Sequence, residues 1–198
     1  MDRALACLLL LFTACATPLQ GADLRTLTGV RPHAAPTKTS AVPRALLGDW
    51  AAPGEAYRYR FDSGGRFFVV QSLPFTVDAQ TLKRGAETYT RTAGTVGLPG
   101  VWRTSFAEGE WLELTLGAGG FYEAVWNDGL RSTGAAIVEA ERLTIVEHRA
   151  DFECHGQTIH FRPASGEPPS SAQWSVSGDE LTLTMADGPH TWRRVKLY

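Results

Sequence analysis

The densest group of residues capable of chemistry is "EHRADFECHGQTIH", residues 147 to 160, which holds Glu147, His148, Asp151, Glu153, Cys154, His155 and His160. Imidazole, thiolate and carboxylate are the ligands of zinc, but zinc sites draw them in pairs at fixed short spacings, and neither HExxH nor CxxC occurs. On a strand through Phe152, Cys154 and His155 face opposite sides, so one ion cannot readily take both. His148 and His160 could still meet across a hairpin turning near His155-Gly156. The pattern reads as two paired strands with a partly buried cysteine, and no metal is expected.

Nucleophilic chemistry has less support. No GxSxG elbow is present, and the sequence neighbours Cys154 and His155 diverge on a strand, whereas a base must face its nucleophile across space. The acid pairs Glu139 with Glu141 and Asp179 with Glu180 fall at predicted turns, where carboxylates hold bends and stay solvated. "GAGG" at 117 to 120 lacks the further glycine and the helix of a dinucleotide fingerprint. The expectation is a protein that is not an enzyme, with no catalytic residue and no cofactor.

These residues sit on repeated strands and turns. "VDAQTLKRG" (77 to 85), "VEAERLTIV" (138 to 146) and "VSGDELTLT" (176 to 184) each run Val, four turn-prone or polar residues, then Leu. Where the last copy has Asp179 and Glu180, the others have Gln80 and Thr81, or Glu141 and Arg142. Ligands would be shared by the copies, so Asp179, and likewise Asp187 beside Gly188, read as turn residues. A second pattern, "FDSGGRFFVV" (61 to 70) and "LGAGGFYEAV" (116 to 125), sets Gly-Gly between two strands. A third is Gly-x-Trp, at Gly48-Asp49-Trp50 and Gly100-Val101-Trp102. The spacing is uneven, so these are hairpins reused in one sheet and not a solenoid.

Alternation assigns the faces. Tyr57, Tyr59 and Phe61 share one side of their strand against Arg58 and Arg60; Leu112, Leu114 and Leu116 share another, as do Leu181, Leu183 and Met185. Asp128-Gly129 predicts a two-residue hairpin loop. With 20 glycines and 11 prolines in 198 residues, and apolar stretches that are all short, the chain reads as all-β. "LLGDWAAPGEAYRYRFDSGGRFF" and "WSVSGDELTLTMADGPHTWRRV" resemble the first and last hairpins of bacterial lipocalin-like domains.

That resemblance implies an antiparallel lipocalin-like β-barrel built from repeated hairpins over residues 45–198. It also implies that Trp50 packs at the closed end under an arginine of the final strand, so the barrel-closing residues are Trp50, Trp192, Arg193 and Arg194. The two Gly-x-Trp motifs leave two arrangements open, one continuous body or a small sheet before a barrel at 98 to 198, and the continuous body is preferred because the first unit is too short to close alone. Inward aromatics either fill a barrel or line a ligand cavity, and Tyr57, Tyr59, Phe67, Tyr122 and Trp126 are the candidate ligand-binding residues.

The start of the chain adds a location. Arg3 precedes an apolar run from Ala4 to Ala14, the layout of an export signal, and Phe12-Thr13-Ala14-Cys15 resembles a lipobox with Phe in place of the usual aliphatic residue. Residues 1–15 are expected to be that signal, Cys15 the lipidated residue, and Ala/Thr/Pro-rich 16–44 a disordered tether. Without residues 1–44 the body has 14 basic and 19 acidic residues, a net charge of −5, which argues against nucleic acid. The sequence therefore points to an outer-membrane lipoprotein facing the periplasm, otherwise a periplasmic or secreted protein, held to the membrane by its lipid anchor only. Its expected partner is a small apolar or amphipathic molecule; the alternative is a filled barrel, structural or inhibitory, that binds an envelope protein.

Overall fold

The computed structural model describes residues 41–52, 55 and 57–195; the export signal, Cys15 and most of the tether lie outside them. The described chain is all-β, and its fourteen strands form an antiparallel sheet that closes in a ring. In chain order these are β1 (Gly48–Ala51), β2 (Tyr57–Phe61), β3 (Arg66–Val77), β4 (Thr81–Arg84), β5 (Glu87–Ala93), β6 (Gly100–Ser105) and β7 (Trp111–Leu116). They continue with β8 (Phe121–Trp126), β9 (Arg131–Glu139), β10 (Arg142–His155), β11 (Thr158–Pro163), β12 (Ser170–Ser177), β13 (Glu180–Met185) and β14 (Gly188–Arg194).

Each strand pairs with its sequence neighbours, and β1 pairs with β14 to close the ring. One ladder crosses it: β3 and β10, the two longest strands, pair from Arg66↔Asp151 to Pro74↔Arg142. This ladder divides the ring into two circuits of eight. The first lobe runs β1, β2, β3, β10, β11, β12, β13, β14; the second runs β6, β7, β8, β9, β10, β3, β4, β5. Each lobe has its own apolar core, one around Trp50, Tyr59, Phe61, Phe152 and Trp192, the other around Tyr89, Trp102, Leu114, Tyr122 and Leu143. Neither arrangement suggested by the two Gly-x-Trp motifs describes this division fully. The body is continuous, but its second lobe is an insertion between the two halves of its first.

The sequence repeats are register repeats. In all three Val-turn-Leu copies the Val pairs directly with the Leu: Val77↔Leu82, Val138↔Leu143 and Val176↔Leu181. The two Gly-Gly segments make the same three-residue loop, with Phe61↔Phe67 and Leu116↔Tyr122 as the first strand pairs and Gly65 and Gly120 at φ 72° and 76°. A type I turn ending in a left-handed residue needs glycine at that place. The Asp128-Gly129 loop is of this kind too, not the two-residue loop expected: Val125↔Arg131 is the last strand pair, Trp126 N–H donates to Leu130 O, and Gly129 has φ 86°. Asp128 accepts from Leu130 N–H at 3.0 Å, so the acid organises the wider loop.

The alternating faces are buried where expected. Tyr57, Tyr59 and Phe61, Leu112, Leu114 and Leu116, and Leu181 and Leu183 are all inside. Arg58, on the side opposite the tyrosines where a charged residue would face water, is buried instead. It is 6% exposed, its pKa lowered by burial, and it lies 3.7 Å from Asp49, which also holds Arg60 at 2.5 and 2.8 Å.

Candidate functional site

Each lobe is shut at one end by the same device. In the first, Trp50 Nε1 donates to Leu46 O at 2.8 Å, and the Arg194 guanidinium lies 4.1 Å from the indole centre. Arg194 donates to Leu47 O and Ala45 O, both at 2.7 Å. In the second, Trp102 Nε1 donates to Leu98 O at 2.9 Å, Arg91 lies 3.9 Å over the indole, and Arg91 donates to Pro99 O and Gly97 O. The register is the same: Trp50↔Arg194 and Trp102↔Arg91. The backbone N–H of each arginine bonds the turn of a Val-turn-Leu hairpin, Arg194 to Asp179 O and Arg91 to Gln80 O. A cation over an indole contributes about 0.5–2 kcal/mol, and here it also ties down carbonyls that precede the first strand.

Of the residues expected to close a barrel, Arg194 and Trp50 form the contact. Trp192 points into the first core, its ring 5.2 Å from Tyr59, and Arg193 is exposed. The position equivalent to Trp192 in the second lobe is Tyr89, two residues before Arg91 just as Trp192 is two before Arg194; Leu181↔Trp192 and Leu82↔Tyr89 are matched pairs.

The candidate ligand residues divide between the lobes. Tyr57, Tyr59 and Phe67 come together in the first, with Tyr59 5.4 Å from Tyr57 and stacked on Phe67 at 5.8 Å. Burial first, and then the neighbouring Tyr57, pushes the Tyr59 phenol well above its ordinary pKa, so it stays neutral. Tyr122 is enclosed in the second core, its phenol likewise raised by burial. Trp126 lies at the open end of the second lobe, where Phe106 stacks on it at 5.8 Å.

The first lobe has a cleft of about 80 Å³. Its apolar walls are Tyr59, Phe61, Phe67, Phe161, Leu183 and Trp192; its polar lining includes Arg131, Ser132, His148, Arg149, Ser165 and Glu167. Ser165 and Glu167 lie in the β11–β12 connection, at the opposite end of the lobe from the β12–β13 turn that Arg194 bonds, so the cleft faces away from the tryptophan latch. Arg131 and Ser132 start β9, which belongs to the other lobe. His148 and Arg149 sit at a bulge in β10, where the register against β3 shifts between His148 and Ala150. A bulge bends its strand and re-aims a side chain. Here it lets Glu147, at 2.9 Å from Arg149 Nε, and Ala150 both face inward. The sequence signal for these polar residues was weak, because alternation turns Arg131 away from the second core and Arg149 is the unpaired residue of a bulge.

The acid, thiol and imidazole groups have structural partners. Cys154 is buried and its thiol is raised by burial, which removes thiolate at neutral pH. His148 and His160 do not meet: His148 Nε2 is 3.2 Å from Asp151, while His160 contacts His155 and lies 2.8 Å from Ser171 Oγ. Among the described residues no three His, Cys, Asp or Glu side chains are placed to hold a metal ion, and no helix is long and apolar enough to cross a membrane. No family model, curated protein or solved structure matches the chain.

Proposed function

We propose that the chain is an exported lipoprotein, anchored through Cys15, whose first lobe is a lipocalin-like barrel that binds a small apolar or amphipathic molecule non-covalently. The observation that carries this reading is the asymmetry of the two open ends: Trp126 and Phe106 stopper the second lobe, and the first leaves an aromatic cleft with a polar rim. Binding would bury an apolar group among Phe61, Phe67 and Phe161 and orient it through the rim.

The size of the cleft limits the ligand. At about 80 Å³ it is smaller than the roughly 150 Å³ of an engineered cavity that takes benzene, and well below the ~300 Å³ at which drug-sized pockets begin. Only one end of an amphipathic molecule enters, and the rest lies across the mouth. Native mass spectrometry of the chain purified from the cells that make it should show a retained small molecule, displaced by a short alkyl probe. A chain that carries no added mass and takes up no alkyl probe would overturn the reading. The filled-barrel alternative draws on the apolar cluster buried in the second lobe, and a stable envelope-protein partner from cross-linked cells, lost when Phe106 is changed to Ser, would favour it.

A further inference from the structure

We infer that the molecule bound in the first lobe is an anionic amphiphile, its apolar end inserted between the aromatic walls and its oxyanion held by Arg131 and Arg149. This rests on the proposed ligand-binding role of that lobe. The lining decides the sign of the head group: it holds two guanidinium groups, the His148 imidazole and the hydroxyls of Ser132, Ser165 and Ser170 against one carboxylate, Glu167, which already accepts from Ser165 at 2.7 Å. An oxygen acceptor finds donors on several sides. An ammonium group would meet two fixed cations and one occupied acid.

The remaining acids stand behind these donors and do not line the cleft. Glu147 is 2.9 Å from Arg149, Glu123 is 3.1 Å from Arg131, and Asp151 is 3.2 Å from His148. Each carboxylate orients its partner before the ligand arrives, and Glu147 also lowers the cost of holding the Arg149 guanidinium partly out of water. A guanidinium has five N–H donors in a planar fork, so an Arg engaged by one acid keeps donors for a second oxyanion. The two arginines also come from different strands, Arg149 from the bulge of the shared β10 and Arg131 from the turn end of β9 in the second lobe. The head-group site is complete only because β10 carries both lobes.

Calorimetric titration of the full chain with hexanoate, hexanol and hexylamine at low salt tests this, because the three share one apolar tail. Hexanoate should bind about tenfold more tightly than hexanol, since charge-assisted hydrogen bonds are roughly twice as strong as neutral ones, and hexylamine most weakly. Arg131→Gln, at an exposed position, should erase most of the hexanoate preference and leave hexanol binding unchanged; Arg149→Gln should do the same with a larger loss. Equal binding of hexanoate and hexanol, or preference for the amine, overturns the inference while leaving the apolar cleft in place. If none of the three binds, the ligand-binding role of the lobe fails with it. A hexanoate preference that survives both substitutions overturns the assignment to these arginines.

Discussion

The two lobes share a frame and differ in what they put inside it. Position for position, Tyr57, Tyr59 and Phe61 of the first correspond to Leu112, Leu114 and Leu116 of the second, and Phe67 corresponds to Tyr122, because each set flanks the same three-residue loop. The loop carbonyls accept equivalent bonds, Phe152 N–H to Gly65 O and Ala136 N–H to Gly120 O. The branched leucines pack with Tyr89, Trp102 and Tyr122 in the second core. The rings of the first core meet at mixed angles, Tyr57 edge-on to Tyr59 and Tyr59 stacked on Phe67 of the next strand, and a cleft lies beside them. The latch, the turns and the register are therefore common to both lobes, and what differs is the choice of ring or branched chain on one strand.

Alkali should break both lobes at once. Two phenols in each, Tyr57 and Tyr59 in the first and Tyr89 and Tyr122 in the second, have pKa values raised chiefly by burial. An acid whose folded pKa lies above its unfolded value favours folding fully below the unfolded pKa, about 10 for Tyr, and that advantage is lost as pH rises toward the folded value. Unfolding should begin above about pH 10, with tyrosinate absorbance appearing together with the loss of far-ultraviolet circular dichroism. Tyrosinate forming well before unfolding would show that the rings are not held in dry cores.

Removing either latch tests whether the lobes are equivalent in energy as well as in geometry. Trp50→Ala and Trp102→Ala each delete a fully buried indole that donates a hydrogen bond and lies under an arginine. Each should cost about 3–5 kcal/mol in urea unfolding. Because β3 and β10 belong to both lobes, each variant should still unfold in one transition. Two separated transitions would show that the shared ladder does not couple the cores.

The legibility of the chain followed the range of its contacts. The Val-turn-Leu and Gly-Gly segments were readable because a hairpin pairs residues a few positions apart, and Gly, Asp and an alternating face mark it locally. The ladder from Arg66↔Asp151 to Pro74↔Arg142 joins residues about 70 to 85 apart, and no local pattern encodes it. Its one trace was the length of β3 and β10, 12 and 14 residues uninterrupted by a turn, longer than one wall of a small barrel needs. Tyr59 and Phe67 were legible as inward aromatics. Arg131 and Arg149 were not, since alternation turns Arg131 away from its own lobe's core and a bulge residue escapes the period of two. Trp126 obeyed the period, but what covers it is Phe106 on another connection.

The glycines that precede the two latches sharpen the comparison at a smaller scale. Gly48 and Gly100 both have positive φ, 117° and 154°. A Cβ at Gly100 would lie 2.6 Å from Arg91 Nη1 and 2.8 Å from Ala93 O, whereas at Gly48 the nearest atom is Arg194 Nη1 at 3.2 Å. A guanidinium can swing aside, and a strand carbonyl cannot without breaking its ladder. Gly100→Ala should cost roughly 2–3 kcal/mol and Gly48→Ala about 1–2, read from the shift in urea midpoint. Equal costs would mean that backbone conformation alone sets both.

The smallest effect separates two of the three Val-turn-Leu hairpins. Gly178 takes φ 59° at the first loop position of the β12–β13 turn, and the same position in the β9–β10 turn is Ala140 at φ 50°, the one non-glycine residue with positive φ among those described. Alanine in the left-handed region costs about 1–2 kcal/mol, because its Cβ approaches the following carbonyl oxygen. Glycine avoids that clash but loses up to ~1 kcal/mol more chain entropy on folding. Ala140→Gly should therefore stabilise the chain by about 0.5–1 kcal/mol, measurable as a higher urea midpoint at unchanged slope. Gly178→Ala should destabilise it by a similar amount, since it places a Cβ at the equivalent left-handed position. If Ala140→Gly lowers the midpoint, the β9–β10 turn is held by contacts that β12–β13 lacks, and the turn copies are alike in register but not in energy.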